Sequence, residues 1–329
     1  MATPHSLSKH WIDKIVSDKH HPLYYQFASN KKIRSNFTNF FENLFDQTDK
    51  KYRGSLESRI NRLKNHDNWL GAYDELRIMH MLLDNGLNAY FINEGKKKRP
   101  DICVNNNKQF YLEIKSLIND KLQEEMNKVF LHENIPSGKL VIIRFIINKT
   151  DDFKSQINSI KISINEIEKR LREKKFVNFV GAEFDMRFKS SNVVPLNRTA
   201  FMVGESIGKF ISQDYLVRKS KHILDDCQKQ IESEKYVILI LVGNDWRFTQ
   251  DNYQVAFYGH GKNELLLNKK SSLNNMFEIF DLQNKAFEGD GLFFTDKARL
   301  LPAIGVLTKF DNKIQIYINP NYSLPHLIQ

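Results

Sequence analysis

Residues 70–117 of the chain read LGAYDELRIMHMLLDNGLNAYFINEGKKKRPDICVNNNKQFYLEIKSL, and the predicted fold is organised around this stretch. Its first part has apolar residues at helical spacing, namely Ala72, Leu76, Met79 and Leu83. The pattern predicts an amphipathic helix that ends at about Gly86. Glu75 lies beside the apolar face, where a carboxylate is costly to bury unless another group compensates its charge. Asp74 is expected to point elsewhere.

The second part of the stretch predicts a β-hairpin. Two β-like runs flank residues 105–108, which have the composition of a turn. Side chains alternate along a strand, so Glu113 and Lys115 are expected on one face. Antiparallel pairing across the turn would bring Asp101 close to Glu113. Two carboxylates from neighbouring strands, a third from the helix and a nearby lysine suit a hard divalent cation such as Mg²⁺, which prefers oxygen ligands.

Pro100-Asp101, Glu113-x-Lys115 and the helix carboxylate Glu75 resemble the motif of the PD-(D/E)xK nucleases, which have the restriction-endonuclease-like fold. The resemblance implies an α/β fold whose core runs helix, three strands, helix and strand around a mixed sheet. It implies that Asp101, Glu113 and Glu75 bind the metal, that Lys115 assists the attacking water, and that all four residues are catalytic. Mg²⁺ is the implied cofactor, and Mn²⁺ is expected to substitute for it. The alternative is an ordinary hairpin with a solvated Glu/Lys face.

A run of basic residues directly precedes the hairpin: Lys96, Lys97, Lys98 and Arg99. At the rim of a metal site, such a run is expected to position phosphate groups of a nucleic acid, although a solvated loop is the alternative. The whole chain carries a net charge of +10, and its pI is near 9.3. This charge favours nucleic acid as the partner, ahead of an anionic membrane.

The cellular compartment is predicted from three further features. The 329 residues include only two cysteines, Cys103 and Cys227, which is too few for a disulfide framework or a zinc cluster. The N-terminus lacks the apolar core of a signal peptide, and the longest apolar runs are too short to span a bilayer. We therefore expect a cytoplasmic protein with no membrane partner.

The predicted domain organisation has two parts. Residues 1–65 form a helical N-terminal extension, and residues 66–329 form the nuclease-like domain, with an insertion at about residues 118–205. The extension is rich in Lys and Arg, which either contact phosphates or lie on a solvated helical face. Within the insertion we expect helices at residues 119–132 and 153–175 and a strand at residues 139–148. The insertion is expected to select the substrate or to mediate dimerisation.

A second helix and strand are predicted after the insertion. A helix over residues 210–231 leads into YVILILV, residues 236–242, whose continuous apolar run predicts a buried central strand. This pair would be the last helix–strand step of the core. Beyond it we expect a strand at residues 253–258, a short helix at 273–282, and a hairpin formed by 303–310 and 313–318.

These observations favour a metal-dependent nuclease that hydrolyses phosphodiester bonds of DNA, as an endonuclease of the bacterial restriction or phage-defence type. DNA is favoured over RNA, but an RNA-directed nuclease is an alternative. Another is a non-catalytic nucleic-acid-binding or scaffold module on the same fold. A small nuclease that cuts both strands of a duplex often works as a pair, so a homodimer is also expected.

Overall fold

The chain forms two compact units, Met1–Leu117 with Gln213–Gln329 (unit 1) and Ile118–Ser212 (unit 2). The computed structural model describes residues 11–14, 17, 21, 23–24, 31–65, 68–93, 95, 98–105, 109–117, 140–147, 178–180, 184–187, 200–205, 213–243, 250–259, 266–270, 276–282, 291–308 and 313–322.

The described helices all belong to unit 1. The longer ones are α1 (Lys31–Gln47), α2 (Arg53–Arg62), α3 (Trp69–Asp84), α4 (Gln213–Glu232) and α5 (Gln250–Tyr258). Short 3-10 helices cover Lys50–Tyr52, Leu292–Phe294 and Asp296–Leu300. The predicted end of α3 is confirmed, because the helix stops at Asp84 and Gly86 follows with a φ of 73°, a conformation that glycine adopts without strain.

The described strands are numbered in chain order through both units. They are β1 (Ala89–Phe91), β2 (Ile102–Asn105), β3 (Gln109–Leu117), β4 (Leu140–Ile147), β5 (Asn178–Val180), β6 (Phe184–Arg187), β7 (Ala200–Glu205), β8 (Val237–Gly243), β9 (Leu266–Lys270), β10 (Phe277–Leu282), β11 (Ala303–Thr308) and β12 (Ile314–Ile318).

The sheet of unit 1 is mixed, and its described strands follow the order β1-β2-β3-β8-β11-β12-β10-β9. β1, β2 and β3 pair antiparallel. β3 then pairs parallel with β8, and β8 pairs parallel with β11. A parallel pair needs a crossover connection, and α4 lies directly before β8 in the chain. The mixed α/β class predicted from the sequence is therefore confirmed.

The centre of this sheet is apolar on both faces. Every residue of β8 is buried, as predicted from its uninterrupted apolar run. The neighbouring strand β11 approaches it closely at Gly305, where an added Cβ would lie 2.3 Å from Ile240 Cδ1. The hairpin predicted near the C-terminus is also confirmed, since β11 and β12 pair antiparallel.

Two of the predicted elements in the C-terminal part are wrong. Residues 253–258 are helical in α5, whose buried residues Tyr253, Ala256 and Phe257 follow helical spacing. A run this short fits the strand and the helix periods equally well. Of the helix predicted at residues 273–282, residues 277–282 instead form strand β10, which pairs with β12 and β9, so tertiary pairing overrides local preference there.

Unit 2 contains a separate sheet with the described order β5-β6-β4-β7. The strand predicted at residues 139–148 is confirmed by β4. The helices predicted at residues 119–132 and 153–175 lie outside the described residues. Among the residues that are described in both units, no helix is long and apolar enough to cross a membrane.

Candidate functional site

The β2–β3 hairpin places Asp101 beside Glu113. The backbone N–H of Asp101 donates to Leu112 O at 3.0 Å, and the next residue, Ile102, pairs with Leu112. Asp101 therefore lies across the ladder from Glu113. Its carboxylate is fixed by the same hairpin, because Oδ2 accepts a hydrogen bond from the Ile114 N–H at 2.9 Å. Antiparallel pairing thus brings together the two acids as the sequence predicted.

Lys115 follows Glu113 on the same face of β3. Its Nζ lies 2.5 Å from Glu113 Oε1, and about a third of its side chain is exposed. Burial disfavours the charged ammonium, but the negative charges of Glu113 and Asp101 outweigh this effect and raise the pKa of Lys115 above its ordinary value. Glu113 Oε2 is buried and has no hydrogen-bond partner among the described residues.

Glu75 reaches the site from α3, which packs against β3. Two arginines of α2 contact its carboxylate. Arg59 Nη1 lies 3.2 Å from Glu75 Oε2, and Arg62 Nη1 lies 3.2 Å from each of the two oxygens. The Arg59 guanidinium also reaches Asp101, with Nη2 3.5 Å from Oδ1. The charge that the sequence required beside Glu75 is therefore supplied by α2.

The three acids are almost completely withdrawn from solvent, since Glu75 is 5%, Asp101 8% and Glu113 1% exposed. Burial, followed by the charge of Asp101, raises the pKa of Glu113 to about 8, although Lys115 acts in the opposite direction. This environment disfavours the charged form of Glu113, which a bound cation would favour.

The second perturbed acid is Glu75. Burial and then the charge of Asp101 raise the pKa of Glu75 to about 7, against the opposing charges of Arg59, Arg62 and Lys115. Three carboxylates and three basic side chains thus share one small, poorly solvated volume. Such a cluster is typical of functional sites, where perturbed pKa values concentrate.

Sequence analysis missed the role of Arg59 and Arg62, which it had placed in a basic extension facing phosphates or solvent. Arg59 is only 4% exposed and follows the apolar face of α2, between the buried residues Leu56 and Ile60. A guanidinium within an apolar helical face needs a buried acid. That local pattern could have indicated a buried ion pair, although it does not identify the partner.

The prediction that Asp74 points away from the apolar face of α3 is wrong. Asp74 is fully buried and accepts a short hydrogen bond from the Ser116 hydroxyl, which ties α3 to β3. The error arose because the buried face of α3 is wider than the stripe used to orient it: Asp74, Glu75, Ile78 and Leu82 are all buried. Asp74 and Glu75 consequently face different parts of the sheet.

The remaining predicted site residues lie in the basic run before Asp101. Lys98 and Arg99 are exposed, whereas Lys96 and Lys97 lie outside the described residues. Cys227 of α4 interacts electrostatically with Glu113 and Lys115. Burial and then the charge of Glu113 raise the pKa of the Cys227 thiol to about 12, so it stays protonated.

The donors that fit a hard divalent cation are the Asp101 and Glu113 carboxylates, and Glu113 Oε2 is a buried acceptor without a hydrogen-bond partner among the described residues. Within that part of the chain, no group of three or more His, Cys, Asp or Glu side chains is arranged to hold a metal ion. Comparisons with protein-family models, with curated proteins and with solved structures find no match for this chain.

Proposed function

We propose that the protein is a metal-dependent nuclease of the PD-(D/E)xK type that hydrolyses phosphodiester bonds of DNA. The favoured form is an endonuclease of the bacterial restriction or phage-defence type. The element order of unit 1 supports this proposal, because α3 is followed by the antiparallel strands β1, β2 and β3 and, after unit 2, by α4 and by β8 parallel to β3. This order is consistent with the helix, three strands, helix and strand that the resemblance implies.

One observation carries the chemical part of the proposal. Glu113 is a buried carboxylate with an oxygen that lacks a hydrogen-bond partner among the described residues, and it lies between a second acid, Asp101, and an ammonium, Lys115. An isolated buried carboxylate is costly. The arrangement is understandable if a cation completes it, and Asp101 and Glu113 would hold that cation as Mg²⁺ or Mn²⁺.

When bound, the metal would polarise a phosphate oxygen and lower the pKa of a coordinated water. Lys115 has a raised pKa and therefore keeps its proton near neutral pH. It is suited to donate hydrogen bonds to the attacking water and to negative charge that develops on the phosphate, rather than to act as a general base. Glu113 must lose its proton for the site to work, and Asp101 keeps its orientation through the Ile114 N–H.

The charge of the protein is consistent with a nucleic-acid substrate. The chain has a net charge of +10, and the exposed residues Lys98 and Arg99 stand just before Pro100 and Asp101 in the chain. Basic side chains at this place would neutralise phosphates on either side of the bond to be cut. A homodimer would supply one site for each strand of a duplex, and sedimentation analysis of the protein with and without DNA tests this part.

The experiment that tests the proposed function is cleavage of plasmid DNA, short duplexes, single strands and RNA with Mg²⁺, with Mn²⁺ and with EDTA. We expect metal-dependent cleavage of DNA that Asp101→Asn abolishes and that Lys115→Ala slows by at least about 100-fold. Asp226→Asn and Lys229→Ala are matched controls, because both side chains are exposed on α4. Cleavage at the wild-type rate in either site variant would refute the assignment.

Other outcomes of the same experiment distinguish the alternatives. Cleavage of RNA alone would identify an RNA-directed nuclease. DNA binding that weakens steeply with salt, but without cleavage under any condition, would identify a non-catalytic binding module.

A further inference from the structure

The three acids of the site differ in what already contacts them. Both oxygens of Glu75 lie 3.2 Å from a guanidinium nitrogen of Arg62, and Oε2 lies 3.2 Å from Arg59 as well. Glu113 presents an Oε2 with no hydrogen-bond partner among the described residues. Glu75 and Glu113 are both buried, but Glu113 has more capacity left to accept a metal ion.

Asp101 has fewer existing contacts than Glu75 and more than Glu113. Its Oδ2 accepts the Ile114 N–H at 2.9 Å, and its Oδ1 lies 3.5 Å from Arg59 Nη2. A carboxylate oxygen has more than one lone pair, so these contacts orient the group and leave acceptor capacity for a cation. Asp101 and Glu113 also belong to one hairpin, which holds their backbones in a fixed register.

Of the two arginines that contact Glu75, Arg59 is held in place by the fold, whereas about a third of the Arg62 side chain is exposed. Arg59 is buried on α2, and its guanidinium carbon lies 5.6 Å from the centre of the Phe91 ring. If Glu75 turned toward a metal held by the hairpin, it would leave buried guanidinium charge with less compensation, which is strongly unfavourable. The Glu75 carboxylate is therefore expected to keep its contacts with the α2 arginines.

We propose that Asp101 and Glu113 alone ligate the divalent cation, and that Glu75 is a positioning residue that holds Arg59 against Asp101. This assignment rests on the proposed function, and it replaces the metal-binding role that the family resemblance implied for Glu75. Mg²⁺ commonly takes one or two protein carboxylates and keeps several waters. The Arg59 guanidinium then remains beside the metal ligands as a permanent positive charge.

The test compares two double variants that each remove one acid and one base, so that the net charge of the site does not change. Glu75→Gln with Arg62→Gln should leave the Mn²⁺ affinity within about threefold of wild type. Glu113→Gln with Lys115→Gln should weaken Mn²⁺ binding by at least about tenfold, because a ligand is lost. Mn²⁺ binding is measured by electron paramagnetic resonance of the free ion, and folding is checked by thermal denaturation.

The number of waters on bound Mn²⁺, counted by ¹⁷O hyperfine spectroscopy, gives a second readout that also works on the wild-type protein. A six-coordinate ion with one oxygen from each of two carboxylates keeps about four waters. The same number in wild type and in the Glu75→Gln, Arg62→Gln variant supports the proposal. About three waters in wild type, or a large loss of affinity in that variant, overturns it while the proposed nuclease function stands. A wild-type protein that binds no Mn²⁺ refutes both.

Discussion

The carboxylate of Asp101 is fixed by the backbone N–H of Ile114, which donates to Oδ2 at 2.9 Å from the strand that carries Glu113. The orientation of the first acid is thus set by the same hairpin that positions the second. A hydrogen bond from a buried amide to a carboxylate is stronger than one between neutral groups. The register of β2 and β3 sets the backbone positions of both acids, so their proximity does not require flexible side chains to reorient.

Metal binding should depend on pH through Glu113. Its pKa is raised to about 8, whereas metal ligation requires the carboxylate form. Mn²⁺ affinity should therefore rise from about pH 6 to about pH 9 and then level off. Near neutral pH, binding should release close to one proton per ion, which calorimetry in buffers of different ionisation enthalpy measures. Affinity that stays constant over this range would contradict the role of Glu113.

The stability of the metal-free protein should fall as pH rises, because the folded-state pKa of Glu113 is about 8 and that of the unfolded side chain is near 4.5. The folded state binds the extra proton between these values, so the stabilisation is complete below the lower pKa and is lost through the higher one. Glu113→Gln should remove the share of this dependence that belongs to Glu113, on the order of 5 kcal/mol, and should leave the smaller share of Glu75, whose pKa is also raised by burial. Urea unfolding in EDTA at both ends of the range measures it. A wild-type protein whose stability increased with pH would show that the sign is wrong.

Lys115→Ala should slow cleavage by about 100-fold to 1,000-fold, since it removes a charged donor from the reacting phosphate. Mn²⁺ binding should persist, because Lys115 is not a ligand. Lys115→Arg keeps the positive charge and should recover part of the rate. The comparison of kcat with metal affinity separates this role from a structural one, and a parallel loss of both quantities would speak against it.

Arg59→Ala should destabilise the metal-free protein by about 3–5 kcal/mol, because it leaves two buried acids with less compensating charge. Arg59 contacts both Glu75 and Asp101 and is itself buried. Lys50→Ala, at an exposed position of the preceding 3-10 helix, should change the free energy of unfolding very little. Urea denaturation at neutral pH compares the two variants, and equal effects would rule out a structural role for the Arg59 ion pairs.

Gly305→Ala should destabilise the sheet by about 1–3 kcal/mol through overpacking. The added methyl would lie 2.3 Å from Ile240 Cδ1 and 3.0 Å from Ile316 Cδ1. Gly54→Ala is the matched control, since a Cβ there meets nothing within 4 Å and α2 continues through this position. Alanine favours helix, so the control should be neutral or stabilising. Thermal denaturation of the two variants tests the contrast.

Local patterns predicted the centre of the site because its residues are close in sequence. A turn and strand alternation are sufficient to relate Asp101, Glu113 and Lys115. Such patterns do not identify the partner of Arg59, because its contact with Glu75 depends on how α2 packs against α3. The same limit explains Asp74, whose burial is decided by the width of the interface between α3 and β3.

The strand β8, which completes the pairing of β3, has a consequence for biosynthesis. All of unit 2 and α4 are translated between these two strands. On the ribosome, the nascent polypeptide therefore carries Glu113 and Lys115 on a strand that lacks its parallel neighbour until β8 emerges. Long-range pairing of this kind forms slowly, so the central sheet beneath the acid cluster is completed only after the second half of the polypeptide has been made.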